Sequence, residues 1–316
     1  MADSEKQTVA DTNLMRDEVI EGLRRDQKMV PSKYFYDEKG SRLFEQITRL
    51  EEYYPTRAEL EIMKRHGSEM ADLIGPGSTV VEFGSGSSKK TRYLLSELNN
   101  PAGYVPVDIS ADFLMEQAEK LRREFPKIPI QPLAADYTHP FSISEEMNGS
   151  KKVVFFPGST VGNFRQGDAR DFLLGSAGLL GGKGGLLIGV DMKKDPAILN
   201  RAYNDSKGIT AQFNKNLLHR LNRELDADFE PEAFRHHAFY NGDEGRIEMH
   251  LVSQVNQTVT VAGEPIHFRK EETIHTENSY KYSPDEFQEL ISEAYTHVKM
   301  WTDSENLFSV HYFETS

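Results

Sequence analysis

Ser78-Thr79-Val80-Val81-Glu82-Phe83-Gly84-Ser85-Gly86-Ser87-Ser88 decides the fold. A β-branched, apolar run ends on small residues, and a helical pattern follows over 89–98. Glycines at such a turn let the backbone approach a ligand closely, and the helix start offers unpaired N–H groups. Taken alone, the stretch reads equally as a tight turn without a ligand or as a dinucleotide site.

Working outward, a second strand over 103–109 carries Asp108 at its end, and a third over 128–135 leads into Asp136. Between them runs a helical pattern through Phe113, Leu114 and Leu121. The runs 153–156 and 186–190 are short and apolar, as buried parallel strands are. Repeated βα units predict an open, mostly parallel sheet with helices on both faces. Asp108 then stands where an acidic side chain takes ribose hydroxyls, and Asp136 where one accepts from an adenine amino group, with Tyr137 beside the ring. Lys89 fills the sixth loop position, so the full G-x-G-x-x-G is not met, which disfavours a pyrophosphate-bearing cofactor. S-adenosylmethionine fits these three strand ends better than NAD.

The flanking segments differ in character. Residues 1–12 are polar and are expected to be flexible, and a helix is expected over 13–25. Thr56 and Glu59 stand in capping-box spacing at the head of a helix through Leu60, Met63, Met70 and Ile74. After Asp191 come helices opened by Asp195-Pro196 and by Thr210, then strands separated by Asn241-Gly242-Asp243 and Ala262-Gly263-Glu264. This block reads as an inserted α+β unit. Ser283-Pro284-Asp285-Glu286 opens another helix, and 297–302 with 308–314 close the sheet. The expected division is a second domain of 13–60 with 196–282, and a cofactor-binding domain of 61–195 with 283–316.

The chain has 316 residues, 38 % hydrophobic and 28 % charged, as in a soluble globular protein. A net charge of −13 repels phosphate backbones, and the basic dipeptides Lys151-Lys152 and Lys193-Lys194 are too short for a nucleic-acid footprint. There is no cysteine, which excludes disulfides, thiolate metal sites and a thiol nucleophile. The N-terminal residues lack an apolar core, and the most apolar stretch, near 179–190, is too short for a bilayer. A cytoplasmic, monomeric protein is expected, with no nucleic-acid or membrane partner. The ten histidines, His236-His237 included, show no metal-ligand spacing with carboxylates, so no metal is expected.

Five blocks go beyond a generic methyltransferase sheet: Tyr34-Phe35-Tyr36-Asp37, Glu52-Tyr53-Tyr54-Pro55-Thr56-Arg57, 83–88, Gly158-Ser159-Thr160-Val161-Gly162-Asn163 and Phe213-Asn214-Lys215-Asn216. In this order they resemble the ergothioneine-pathway histidine Nα-methyltransferases over almost the whole chain. The resemblance implies a class I (Rossmann-like) methyltransferase sheet with an inserted substrate-binding domain. It implies three methyl transfers from S-adenosylmethionine to the α-amine of L-histidine, giving hercynine and S-adenosylhomocysteine. Histidine-binding positions of the family match Tyr53, Asn163, Tyr203, Met249, Glu277 and Ser279. Cofactor positions match Tyr36, Gly84, Lys90, Asp108, Asp136, Tyr137 and Thr160; relatives are expected to carry Phe where this chain has Tyr137.

The residues themselves support these roles unevenly. Glu277 and Ser279 alternate onto one face of a strand, where a carboxylate and a hydroxyl can pair both imidazole nitrogens. A solvent-facing strand edge would look the same. Met249, between Ile247 and Leu251, reads by spacing as core, and the resemblance makes it an apolar floor for the imidazole. Tyr203 reads as a helix-surface tyrosine and Tyr53 as part of a packed aromatic turn. Asn163 has the better independent case, on a glycine-bearing loop at the carboxyl edge of the sheet. Asn163 and Tyr203 are expected to hold the α-carboxylate, and Tyr53 and Asn163 to orient the amine; no dedicated base emerges. The rivals are another aromatic amino acid or amine such as tryptophan as acceptor and, outside the class, a nucleotide-binding module or NAD-dependent oxidoreductase.

Overall fold

The computed structural model describes residues 2–86, 89–139, 141–144, 147, 149 and 151–316. Ser87 and Ser88, the end of the glycine loop, lie outside them. The chain divides into two compact units, residues 1–53 with 195–278 and residues 54–194 with 279–316.

The first unit opens with helix α1 (Ala2–Leu23), which begins well before the expected 13–25. Its early residues are rich in good helix formers and contain neither Gly nor Pro, so nothing local stops the helix there. A two-residue strand β1 (Lys28–Met29) and helix α2 (Glu38–Ile47) follow, with Asp37 capping α2 through the Gly40 amide at 2.6 Å. The inserted block supplies helices α7 (Pro196–Tyr203) and α8 (Ile209–Glu224) and strands β7 (Phe234–Asn241), β8 (Arg246–Ser253), β9 (Gln257–Val261), β10 (Glu264–Phe268) and β11 (Thr273–Tyr280). Asp195 caps α7 and Pro196 occupies its first turn, where a missing N–H costs nothing. The sheet order is β1-β11-β8-β7, with β9 and β10 as a separate hairpin. Ala262 and Gly263 both have positive φ, 49° and 83°, the conformation a two-residue hairpin turn demands.

The second unit contains helices α3 (Tyr54–Ile74), α4 (Lys89–Glu97), α5 (Ala111–Glu124), α6 (Gln166–Leu180) and α9 (Pro284–Ile291). Its strands are β2 (Ser78–Phe83), β3 (Gly103–Asp108), β4 (Leu133–Ala134), β5 (Lys151–Phe156), β6 (Gly185–Asp191), β12 (Tyr295–Thr302) and β13 (Phe308–Thr315). They form one sheet in the order β12-β13-β6-β5-β2-β3-β4. Strands β2 to β6 pair in parallel, while β13 runs antiparallel to both β6 and β12. Alternate residues of one strand serve opposite faces. Val81, Phe83, Val154 and Phe156 pack with α6 and α9, while Val80, Val153 and Phe155 pack with α3, α4 and α5. This two-sided burial explains the unbroken apolar runs.

Three expectations need correction. The third strand shrinks to β4 plus an isolated bridge at Ile130, because Pro129 and Pro132 have no N–H to give a ladder. Helix α3 starts at Tyr54, so Thr56 and Glu59 lie inside it and form no capping box; Glu59 is fully buried. Because α3 is continuous and buries Ala58 and Ile62 under the sheet, 54–60 belong to the second unit, as do 279–282.

Candidate functional site

In the second unit the strand order reverses between β2 and β5, and open α/β sheets bind ligands outside the carboxyl ends of the strands at such a point. Gly84 and Gly86 turn the chain there with φ of 68° and 42°. A side chain at Gly84 would rest 3.9 Å from the Tyr137 ring, so glycine leaves a cradle beside that ring. Tyr137 stacks on Phe83 at 5.4 Å with planes 9° apart. Asp108 ends β3; its Oδ1 accepts from the Ser110 amide at 2.9 Å, and the Gly86 amide also faces its carboxylate. Burial pushes the Asp108 carboxyl up, against those backbone donors. Asp136 accepts from the Thr138 amide (2.9 Å) and hydroxyl (2.5 Å) through Oδ1, while Oδ2 lies 3.3 Å from His139 Nδ1. Two carboxylates at neighbouring strand ends, an aromatic face and a glycine cradle form a donor set suited to a nucleoside: acceptors for hydroxyls and an amino group, and a surface for a ring. S-adenosylmethionine fits these residues.

The loop after β5 closes this edge. Gly158 donates its amide to both Glu59 oxygens, at 3.0 and 2.9 Å, and Lys90 forms an ion pair with the same carboxylate. Glu59 therefore ties α3, α4 and the loop together, and Lys90 is engaged as its counter-charge. Ser159 sits at φ 57°, a region non-glycine residues rarely occupy, and its Oγ accepts from the Asp191 amide at 2.9 Å. Thr160 donates to the Pro157 carbonyl at 3.0 Å and begins a 3-10 turn that ends at Asn163. Under β2, Glu82 accepts from Thr91 (2.6 Å) and Tyr104 (2.5 Å), and burial raises its carboxyl to about 8, so it is neutral at pH 7.

A second cluster was not legible in the sequence. Asp191 ends β6 and binds Lys281 Nζ at 2.7 Å, Lys194 Nζ at 2.5 Å and the Tyr54 hydroxyl at 2.8 Å. Lys281 also donates to Ser279 Oγ at 2.7 Å, and Lys194 to Tyr54 (2.7 Å) and the Met192 carbonyl (2.5 Å). Burial pushes Asp191 up, yet the two ammonium groups override it and hold its carboxyl below the usual value. Burial also pulls Lys194 down to about 8, against the attraction of Asp191. Ser279 is thus held by a fully buried lysine in the sheet's own unit.

The remaining residues lie in the first unit. Tyr53 and Tyr203 are both buried, with ring centroids 6.1 Å apart in edge contact, so neither is an ordinary surface tyrosine. The Tyr203 carbonyl is 2.9 Å from His236 Nε2, which anchors the end of α7 to β7. Tyr36 packs on Phe44 and Phe213, both at 5.8 Å. Met249 is buried opposite Ala238, and its carbonyl accepts from Thr276 at 3.0 Å. Glu277 is half-buried on β11, and its carbonyl takes a hydrogen bond from His275 at 3.1 Å. Linear spacing showed no such arrangement, but one group among the described residues brings two histidines and a carboxylate together. Glu248, His250 and His275 each offer a ligand atom within 4.8 Å of the others. Two residues apart on β8 and one on its sheet neighbour β11, they make no contiguous motif.

Comparisons with known proteins agree with this geometry. The family described as "Histidine-specific methyltransferase, SAM-dependent" matches residues 15–315. The chain is 40 % identical to the histidine N-alpha-methyltransferase of Mycobacterium tuberculosis, over 94 % of this chain and 93 % of that protein. It is 38 % identical to the enzyme of the same name from Mycolicibacterium smegmatis, over 92 % and 94 %. A 4-dimethylallyltryptophan N-methyltransferase from Claviceps purpurea is 28 % identical, over 91 % of each chain. With its sheet, its glycine cradle and a match spanning nearly its whole length, the chain belongs to the S-adenosylmethionine-dependent, histidine-specific methyltransferases.

Proposed function

We propose that this enzyme methylates the α-amine of L-histidine three times, forming hercynine on the route to ergothioneine. The observation that carries the reading is the match to the histidine-specific family over 15–315. When bound, S-adenosylmethionine would supply a methyl group activated by positive sulfur and leave as S-adenosylhomocysteine; in each round the acceptor's ammonium form gives up one proton and the freed lone pair gains the methyl. Asp108 accepts from the ribose hydroxyls, Asp136 from the adenine amino group, and Tyr137 lies beside the ring, where Gly84 leaves space. Lys90 acts through Glu59 to hold the Gly158–Thr160 turn, and Tyr36 completes the cofactor set.

For the acceptor, Asn163 and Tyr203 hold the α-carboxylate, Tyr53 and Asn163 orient the amine, Met249 supplies an apolar floor, and Glu277 and Ser279 take the two imidazole nitrogens. A free α-amine is mostly protonated at pH 7, so these residues must favour its neutral form. The proposal extends to a monomer acting in the cytoplasm, checked by sedimentation and cell fractionation; among the described residues no helix is long and apolar enough to cross a membrane. Mass spectrometry of histidine incubated with enzyme and S-adenosylmethionine tests the reading. Mono-, di- and trimethylated histidine are expected in succession. Methylation of tryptophan at an equal or greater rate would overturn it.

A further inference from the structure

The first unit contains a grouping that methyl transfer does not use. Glu248 and His250 share β8, and the ring of His250 stacks on that of His275 from β11, with centroids 4.6 Å apart and planes 17° apart. Phe239 closes the other side of His250 at 5.6 Å. The two carboxylate oxygens of Glu248 are unlike. Oε1 accepts from Arg246 Nε (2.9 Å), Arg246 Nη2 (2.7 Å) and Asn241 Nδ2 (3.0 Å), while Oε2 faces His250 Nε2 at 3.0 Å. Glu244 also lies 3.2 Å from Arg246 Nη1, so this guanidinium is shared between two carboxylates. A carbonyl can only accept, so His275 Nε2 carries its hydrogen toward Glu277 and its Nδ1 keeps the lone pair. His250 is 6 % exposed, and its buried Nδ1 has no hydrogen-bond partner.

We propose that Glu248, His250 and His275 bind one divalent transition-metal ion of the zinc class, with solvent completing its coordination. Two imidazoles and one carboxylate are a borderline ligand set that suits zinc. Outer partners already orient two of the ligands, Arg246 and Asn241 on the carboxylate and the Glu277 carbonyl on His275, as second-shell groups do at metal sites. Ligands at about 2.0–2.2 Å from zinc stand roughly 3.4 Å apart. An ion there replaces the 3.0 Å hydrogen bond from His250 Nε2 to Glu248 Oε2, moving the hydrogen of His250 to Nδ1, and the His275 ring turns out of its stack on His250 so that its Nδ1 lone pair points at the same ion. The ion would brace β8 against β11.

The test is titration of chelator-treated full-length enzyme with Co²⁺, followed by visible absorption, and with Zn²⁺ against a chromophoric chelator. One equivalent should bind, with d–d absorption for cobalt and a rise in Tm for zinc. His275→Ala, checked for folding by circular dichroism, should weaken binding at least tenfold, and His267→Ala, at an exposed histidine, should not. Absence of stoichiometric uptake by the wild-type enzyme overturns the proposal without any variant. Uptake that His275→Ala leaves unchanged does so as well.

Discussion

Replacing Asp108 with alanine tests the cofactor site most directly. Asp108 ends β3 with one oxygen held by the Ser110 amide at 2.9 Å, which fixes the carboxylate at the strand end. Alanine removes a charged acceptor for two ribose hydroxyls. A hydrogen bond to a charged group is worth about 1.5–3 kcal/mol. Even if water replaces one of the two, the remaining loss is at least about 1.5 kcal/mol, roughly tenfold in affinity. If both are lost outright, the loss is at least about 3 kcal/mol, more than about a hundredfold. Asp108→Asn should fall between, keeping an acceptor for the Ser110 amide but presenting one neutral oxygen where two charged ones stood. Calorimetric titration with S-adenosylhomocysteine measures this, with thermal unfolding as the control for folding. The pH dependence supplies a second reading. Burial raises the Asp108 carboxyl above its ordinary value of 3.8, so wild-type affinity should start to fall at a higher pH on acidification than an ordinary aspartate would give. That fall should vanish in Asp108→Ala. Unchanged affinity in the alanine variant would refute the assignment.

Glu277→Ala should sharply reduce histidine turnover while leaving S-adenosylhomocysteine affinity nearly intact; wild-type turnover would reduce the residue to a strand edge. Lys281→Met breaks a fully buried ion pair and removes the Lys281 hydrogen bond to Ser279, so denaturant unfolding should show a loss of about 3–5 kcal/mol. Glu82, raised by burial to about 8 from an ordinary value of 4.5, binds its proton more tightly folded than unfolded. Its contribution to stability is therefore full below pH 4.5 and is lost as pH rises toward 8, by as much as roughly 5 kcal/mol at 1.36 kcal/mol per pKa unit. Glu82→Gln, which can still accept from Thr91 and Tyr104, should gain in Tm over wild type as pH goes from 5 to 8; a pH-independent difference would count against a buried neutral carboxyl.

Local chemistry made much of this protein legible from its sequence. Parallel strands buried on both faces must be apolar runs, and helices must return between them, so the alternation after Ser78 exposed the doubly wound sheet. Asp108 was legible as a candidate because it ends such a run, and Gly84 because a residue without a side chain lets the backbone approach a ligand closely. Turn and cap chemistry is local too, which is why Ala262-Gly263 marked a hairpin and Ser283-Pro284-Asp285-Glu286 a helix start, where the structure adds a capping box. What spacing could not register was pairing between distant residues. Glu59 has the spacing of a cap, yet tertiary packing buries it on the Gly158 loop and Lys90. Lys281 meets Asp191 across 90 residues of chain, and His275 meets His250 only because β11 lies beside β8. Periodicity says which way a side chain faces, and only strand order says what it faces. The ionic cluster under Ser279 and the His–Glu grouping were therefore decided by the tertiary structure alone.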